Sequence, residues 1–425
     1  GKWAVALAAL IGTSSGPVAA DTAVCPPSLE IECSLSAFAT LAYAVSDNKT
    51  RYLHSIDSSG SMRADSLAGS QLDVHFNPKW GMTFQGVIKP PLDKDTGWEP
   101  VLSWAFLSYR PSNEWLIRVG KLRPPLFIYS QNMEVGITYD QVRPPPEFYS
   151  ISSMYDLIGG SVGKTWALDD GSEVTLEGYV GGREQPGRHY DSGAGSASYG
   201  KNDVRSAGLV LSRSTEGLLL RAGFHAGRIW RLDGNGLYYQ TYQPVALPFP
   251  SPLGGTLYRP DGPLTKADFY IYTVGVDWSF DDWQLTSEFA LKSLPEIKIV
   301  GPSYGGYVTL ARKIKDWTPY ITLAGIRTGD DQLELFQNLN NTPVPLLVRG
   351  APTNLPASYH QTLAGEVQVY DQWSLTLGSA YRLSSTTKLK AEWMHTEVGV
   401  GSVLFDGLKA NSRVNIFTVS ISKTF

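Results

Sequence analysis

Several things are scarce in these 425 residues, and each scarcity closes a class of protein. There are two cysteines, Cys25 and Cys33, too few for a disulfide-built scaffold or a cysteine-ligated metal site. The six histidines include no HxxxH spacing for zinc. Charged residues make up only 18% of the chain, and the formal net charge is -4, which gives no electrostatic case for binding nucleic acid. Past the first residues, no apolar run approaches the roughly 18 residues of a spanning helix. The mean hydropathy of -0.14 likewise excludes a helical membrane protein.

What is abundant is glycine (42), tyrosine (22) and tryptophan (12), arranged with a period of two. "QLDVHF" (71–76), "YIYTVGVDWSF" (270–280), "WQLTSEFALK" (283–292) and "SLTLGSAYRL" (374–383) each alternate apolar and polar residues. The final "NIFTVSISKTF" does the same, with Phe417, Val419, Ile421 and Phe425 on one parity. Alternation of this kind makes a strand with one dry and one wet face. No helical stripe of comparable length competes with it.

The connections set the organisation. Short turns such as "NPKW" (77–80), "LDDGS" (168–172) and "FDDW" (280–283) alternate with longer polar segments along the chain. Seven short turns and eight long segments predict sixteen strands. The count rises to eighteen if "QTLAGEVQVY" (361–370) is a strand with a partner. The predicted fold class is all-β: a transmembrane antiparallel barrel, with tight turns at one end and long loops at the other. A closed sheet of this size encloses water, so the apolar parity faces lipid and the polar parity faces the lumen. Val274 and Leu377 fall on the lipid parity, Thr273 and Thr376 on the lumen parity.

The opening "GKWAVALAALIGTSSGPVAADT" reads as a secretory leader over 1–20, with Ala4 to Ile11 as its apolar core and cleavage before Asp21. Residues 21–34 form an N-terminal segment ahead of a barrel at 35–425. Export places Cys25 and Cys33, with seven residues between them, in an oxidising compartment, where a disulfide between them is expected.

The leader, the rhythm of short turns and long loops, and the ending "ISKTF" together resemble the Gram-negative outer-membrane porins. The resemblance implies homotrimers of sixteen-stranded barrels with short periplasmic turns and long extracellular loops, in an outer membrane of lipid and lipopolysaccharide. It implies that Phe425 belongs to the signal read by the outer-membrane assembly machinery. It also implies a third loop folded into the pore, which here is 124–156, stiffened by "RPPPEFY" (143–149).

In such a channel the chemistry is electrostatic selection. The loop carries Glu134, Asp140, Glu147 and Asp156 against Arg143, with Arg123 at its start. Lumen parity adds Arg118, Arg221, Arg382, Lys390 and Glu392 on the strands. The expectation is an acidic loop facing wall bases, among them Arg221, Arg382 and Lys390, across a narrow gap, with weak net selectivity. "GGSVGKT" (159–165) lacks the first glycine of a phosphate-binding loop and lies on a strand, so no catalytic set, metal site or cofactor is expected. The predicted function is passive diffusion of small hydrophilic solutes and ions; the alternative is a substrate-specific uptake channel.

Overall fold

The structure, a computed structural model, describes residues 31–152, 154–232, 238–248, 250, 253–349 and 355–425. The leader expected at 1–20 and Cys25 lie outside the described residues. Eighteen strands are present among the described residues. They are β1 (Glu32–Ser46), β2 (Leu67–Asn77), β3 (Trp80–Lys89), β4 (Glu99–Tyr109), β5 (Trp115–Leu122) and β6 (Leu157–Ala167). Next come β7 (Glu173–Asp191), β8 (Ser196–Thr215), β9 (Leu218–Arg231), β10 (Tyr238–Leu247), β11 (Gly255–Leu264) and β12 (Lys266–Phe280). The last six are β13 (Trp283–Ser293), β14 (Ser303–Arg312), β15 (Trp317–Thr328), β16 (Tyr370–Ser384), β17 (Thr387–Ser402) and β18 (Ser412–Thr424).

Sixteen of these close into one antiparallel barrel; β10 and β11 form a separate hairpin in the connection from β9 to β12. Closure is made by β1 against β18, in register from Phe38 opposite Thr424 to Ser46 opposite Ile416. The terminus is tied down: Phe425 N–H donates to Ala37 O at 2.8 Å. Closing the sheet removes the unpaired edges that would otherwise be buried in lipid.

Side-chain exposure follows the alternation. On β12, Tyr272 and Val274 are exposed outward while Ile271 and Thr273 are buried inward. Leu377 on β16 and Phe417 and Val419 on β18 also face out. Such a barrel has its packed core inside, between wall and loops, and an apolar belt outside.

Three readings are corrected. The first strand begins at Glu32 rather than 35, so Cys33 is its second residue and not part of a preceding segment; Cys33 is not a free thiol. The stretch 361–370 is not a strand. Most of it belongs to a helix, Tyr359–Glu366, whose neighbourhood buries His360, Leu363, Ala364 and Val367 at helical spacing. Lastly, Thr273 and Thr376 do face inward but are buried at 5% and 7% exposure, beneath other protein rather than in open water. Beyond these corrections, β7 and β8 continue through residues 184–203 as one long hairpin to a tight turn after Asp191.

Among the described residues, helices are confined to connections. We call Pro146–Tyr149 α1, Asp330–Asn341 α2, Leu346–Arg349 α3 and Tyr359–Glu366 α4. α2 and α4 pack together, α4 also touches β7, and the β10–β11 hairpin meets the short turn Lys298–Val300. These pieces bury Leu333, Leu339, Leu363, Tyr242 and Ile299 in one hydrophobic cluster. They make a compact cap at the long-loop end of the barrel.

Candidate functional site: the inward loop and its seat

The connection from β5 to β6 lies inside the barrel. Just before it, β5 passes through Gly120, where φ is +139° and a Cβ would collide with Ala105 O. β5 ends two residues later, at Leu122, which explains why Arg123 departs from strand parity. Lys121 still shares the register row of outward-facing Ile158, but its ammonium reaches Asp156 at 3.5 Å.

From there the loop packs through aromatic rings. Phe127 lies 4.7 Å from Phe148 and 5.1 Å from Tyr149, and Phe148 lies 5.4 Å from Tyr307 on β14. α1, preset by Pro145 and Pro146, packs on β13, β14, β15 and β16. The turn at Gly136–Thr138 packs on β18, so closely that a Cβ on Gly136 would stand 2.6 Å from Thr40 Oγ1 and Ser422 Oγ.

Buried charges stitch the loop to the wall, each with partners. Glu134 is held between Arg123 and Lys89; burial works to raise its pKa, but the two cations outweigh it and hold the carboxyl below its usual value. Arg143 grips Asp65 through two hydrogen bonds of 2.8 and 2.6 Å and donates to Thr418 at 2.9 Å. Asp140 pairs with Lys388 at 2.6 Å. Lys390 Nζ donates to Gln141 O at 2.7 Å and to Gly136 O. Glu392 accepts from Tyr320 Oη at 2.8 Å and from Val142 N–H at 3.1 Å. Glu288 accepts from Tyr307 Oη, Tyr149 Oη and Ile128 N–H at 2.8 to 3.0 Å. Glu147 is fully buried and accepts from Gln372 Nε2 at 2.9 Å; burial pushes its carboxyl pKa up.

This geometry revises the expected field. Arg221 and Lys390 do not face the loop across a gap. Arg221 donates to the loop carbonyls of Phe127 and Pro125, and Lys390 lies beneath the loop at 3% exposure. Arg382 meets neither: it is exposed near the end of β16, with its N–H bonded to Asp316 O beside the tight turn. Asp156 is paired with Arg183 and Lys121. Arg118 pairs with Glu177 at 2.5 Å, each side chain retaining 14–17% exposure.

Sequence reasoning missed Asp65, Lys89, Lys388, Tyr320 and Gln372. Lys388 was legible, since it shares the lumen parity of Lys390 and Glu392. Asp65 was not, because it sits in an aperiodic loop.

At the long-loop end, Arg188 clasps Asp95 and Asp406 with hydrogen bonds of 2.8 to 2.9 Å, tying the β7–β8 hairpin to two other loops. Its guanidinium holds the Asp95 carboxyl down to about 2.

No family model matches the sequence, and no curated protein is similar to it. Solved structures do resemble the fold. OmpF of Salmonella typhi, in complex with daunomycin, is 11% identical with a TM-score of 0.52, over 94% of this chain and 99% of that one. The outer membrane channel DcaP of Acinetobacter baumannii is 9% identical with a TM-score of 0.52, over 95% and 100%. OmpT of Vibrio cholerae, folded in vitro, is 12% identical with a TM-score of 0.50, over 92% and 98%. With its sixteen strands closed in sequence order and an apolar outer belt, the chain has the fold of the Gram-negative outer-membrane porins.

Proposed function

We propose that the chain forms a water-filled channel in the outer membrane of a Gram-negative bacterium, through which small hydrophilic solutes and ions diffuse passively. The observation that carries this reading is the inward loop. It is seated by buried hydrogen bonds and ion pairs to the strands and to Asp65 in the β1–β2 loop, so it narrows the lumen as a fixed part of it. The loop's acids are largely matched by bases, Asp156 by Arg183 among them, and the Arg118–Glu177 pair puts both signs on the wall. Such a surface discriminates weakly between anions and cations. Assembly as a homotrimer, Phe425 as the assembly signal, and contact with lipopolysaccharide belong to the same proposal.

A second reading, a substrate-specific uptake channel, is favoured by the ordered cap of α2, α4 and the β10–β11 hairpin. Liposome swelling with sugars of increasing size separates the two. Passive diffusion gives rates that fall smoothly with solute size and rise linearly with concentration. Saturation by one solute overturns it in favour of the specific channel.

A further inference from the structure

Resting on the channel reading above, we propose that the β7–β8 hairpin is a lid across the long-loop mouth of the barrel, latched by Arg188, and that its lifting admits solute.

The hairpin outruns its neighbours. β6 pairs with β7 only as far as Gly182, and β9 pairs with β8 only as far as Asn202. Beyond these points the two strands pair with each other alone, out to Asp191 opposite Ser196. The nine residues from Arg183 to Asp191, rising about 3.3 Å each, span roughly 30 Å.

The contacts give its direction. Arg188 bonds Asp406 in the β17–β18 connection at 2.8 Å. In the closed order, six strands (β9 and β12 to β16) separate β8 from β17, and six (β1 to β6) separate β7 from β18. The contact therefore joins opposite sides of the ring, and the hairpin crosses the middle of the mouth. Its tip lands on the cap, where Thr362 Oγ1 donates to Asp191 Oδ2 at 2.9 Å and His189 lies 3.7 Å from Glu366. The cap rises from the β9–β12 and β15–β16 connections, on one side of this line. On the other side, Arg188 and Tyr199 both bond Asp95 in the β3–β4 connection.

What holds the hairpin down is polar. None of residues 183–201, all of them described, is fully buried, whereas the inward loop buries Phe127, Phe148, Tyr149 and Ile151. A segment tied by polar contacts without a packed core opens at low cost. Between the rim and Arg188 the hairpin is also weakened: Gly187 faces Gly200 directly, and Pro186 has no N–H for the ladder. The outer part can lift there while the barrel stays closed. Arg188 is the latch because one guanidinium gathers carboxylates from two separate connections.

Two variants push the lid in opposite directions. Arg188→Gln removes the latch and leaves Asp95 and Asp406 without their shared cation. Gly193→Cys combined with Ser358→Cys staples the tip to the cap, since a Cβ on Gly193 would stand 2.8 Å from Ser358 Cβ and a small outward shift gives the roughly 3.8 Å of a disulfide. The staple keeps Arg188, so it tests the lid should Arg188→Gln fail to fold. The measurement is single-channel recording of the full chain in planar bilayers. In Arg188→Gln the ratio of closed to open time should fall roughly tenfold, the weight of one charge-assisted hydrogen bond. The oxidised staple should hold the channel in its closed level, and reductant should restore the parent's record; the parent under the same reductant accounts for the native cysteines. Steps that neither variant alters, with the bridge verified by mass, overturn the lid and leave the channel reading standing. Closure by the staple with Arg188→Gln indistinguishable from the parent overturns Arg188 as the latch. No steps in any of these chains, the reduced staple included, overturns the channel reading and the lid with it.

Discussion

Glu147 has no exposed surface, and its side-chain donors, Gln372 and Ser374, are both neutral. Burial raises its carboxyl pKa in the folded chain above the unfolded value, so the folded chain holds the proton more readily. The stability linked to that proton is full below the ordinary carboxylate range and is lost as pH rises through the raised value. Glu147→Gln imitates the protonated form. It should therefore raise the melting midpoint by roughly 2 °C at about pH 8, with the gain vanishing near about pH 4. A gain that is the same at both pH values contradicts this. Arg382 shows the other kind of charge. It is exposed beside the β16–β17 turn, so Arg382→Gln should leave the reversal potential in a salt gradient unchanged. A shift toward cations would return Arg382 to the constriction. Parity correctly turned Arg118, Arg221, Lys390 and Glu392 inward, but parity carries no information about what covers an inward side chain. That depended on Val142, Gly136 and Phe127, whose main-chain groups meet the wall only after the loop has folded in.

Among elements, the strands were the legible part. Their apolar and polar faces meet different solvents, so a one-residue slip would invert every side chain, and the register is written in the pattern. β13, for instance, begins at Trp283 as the alternation required. The connections were less legible. The apolar residues of 363–369 fit period two through Leu363, Val367 and Val369, yet the chain folds there as α4, because the cap buries His360, Leu363, Ala364 and Val367 together. An arginine scan separates the faces. Val274→Arg or Leu377→Arg should destabilise the barrel by about 2–4 kcal/mol near the bilayer midplane. Thr175→Arg, on the inward parity of Glu177 and only partly buried, should be tolerated. Thr273→Arg should not, since its inward side chain is buried with no room for a guanidinium. Urea unfolding in detergent micelles measures all four, and equal costs at Val274 and Thr175 would contradict the assignment of faces.

At the scale of the whole molecule, the barrel, the inward loop and the cap share one hydrophobic cluster, from Phe127 and Phe148 in the loop to Leu333 and Leu363 in the cap. The loop is thus continuous with the structure above it as well as with the wall beside it. A channel built this way has a lumen whose width is set by packing. The most direct test is single-channel conductance in planar bilayers for the intact chain and for a variant in which residues 130–142 are replaced by a short glycine–serine linker. Discrete open steps in the intact chain, and a severalfold higher conductance in the variant with weak selectivity in both, are the predicted result. An absence of steps in the intact chain, or the same conductance in both, would contradict the account.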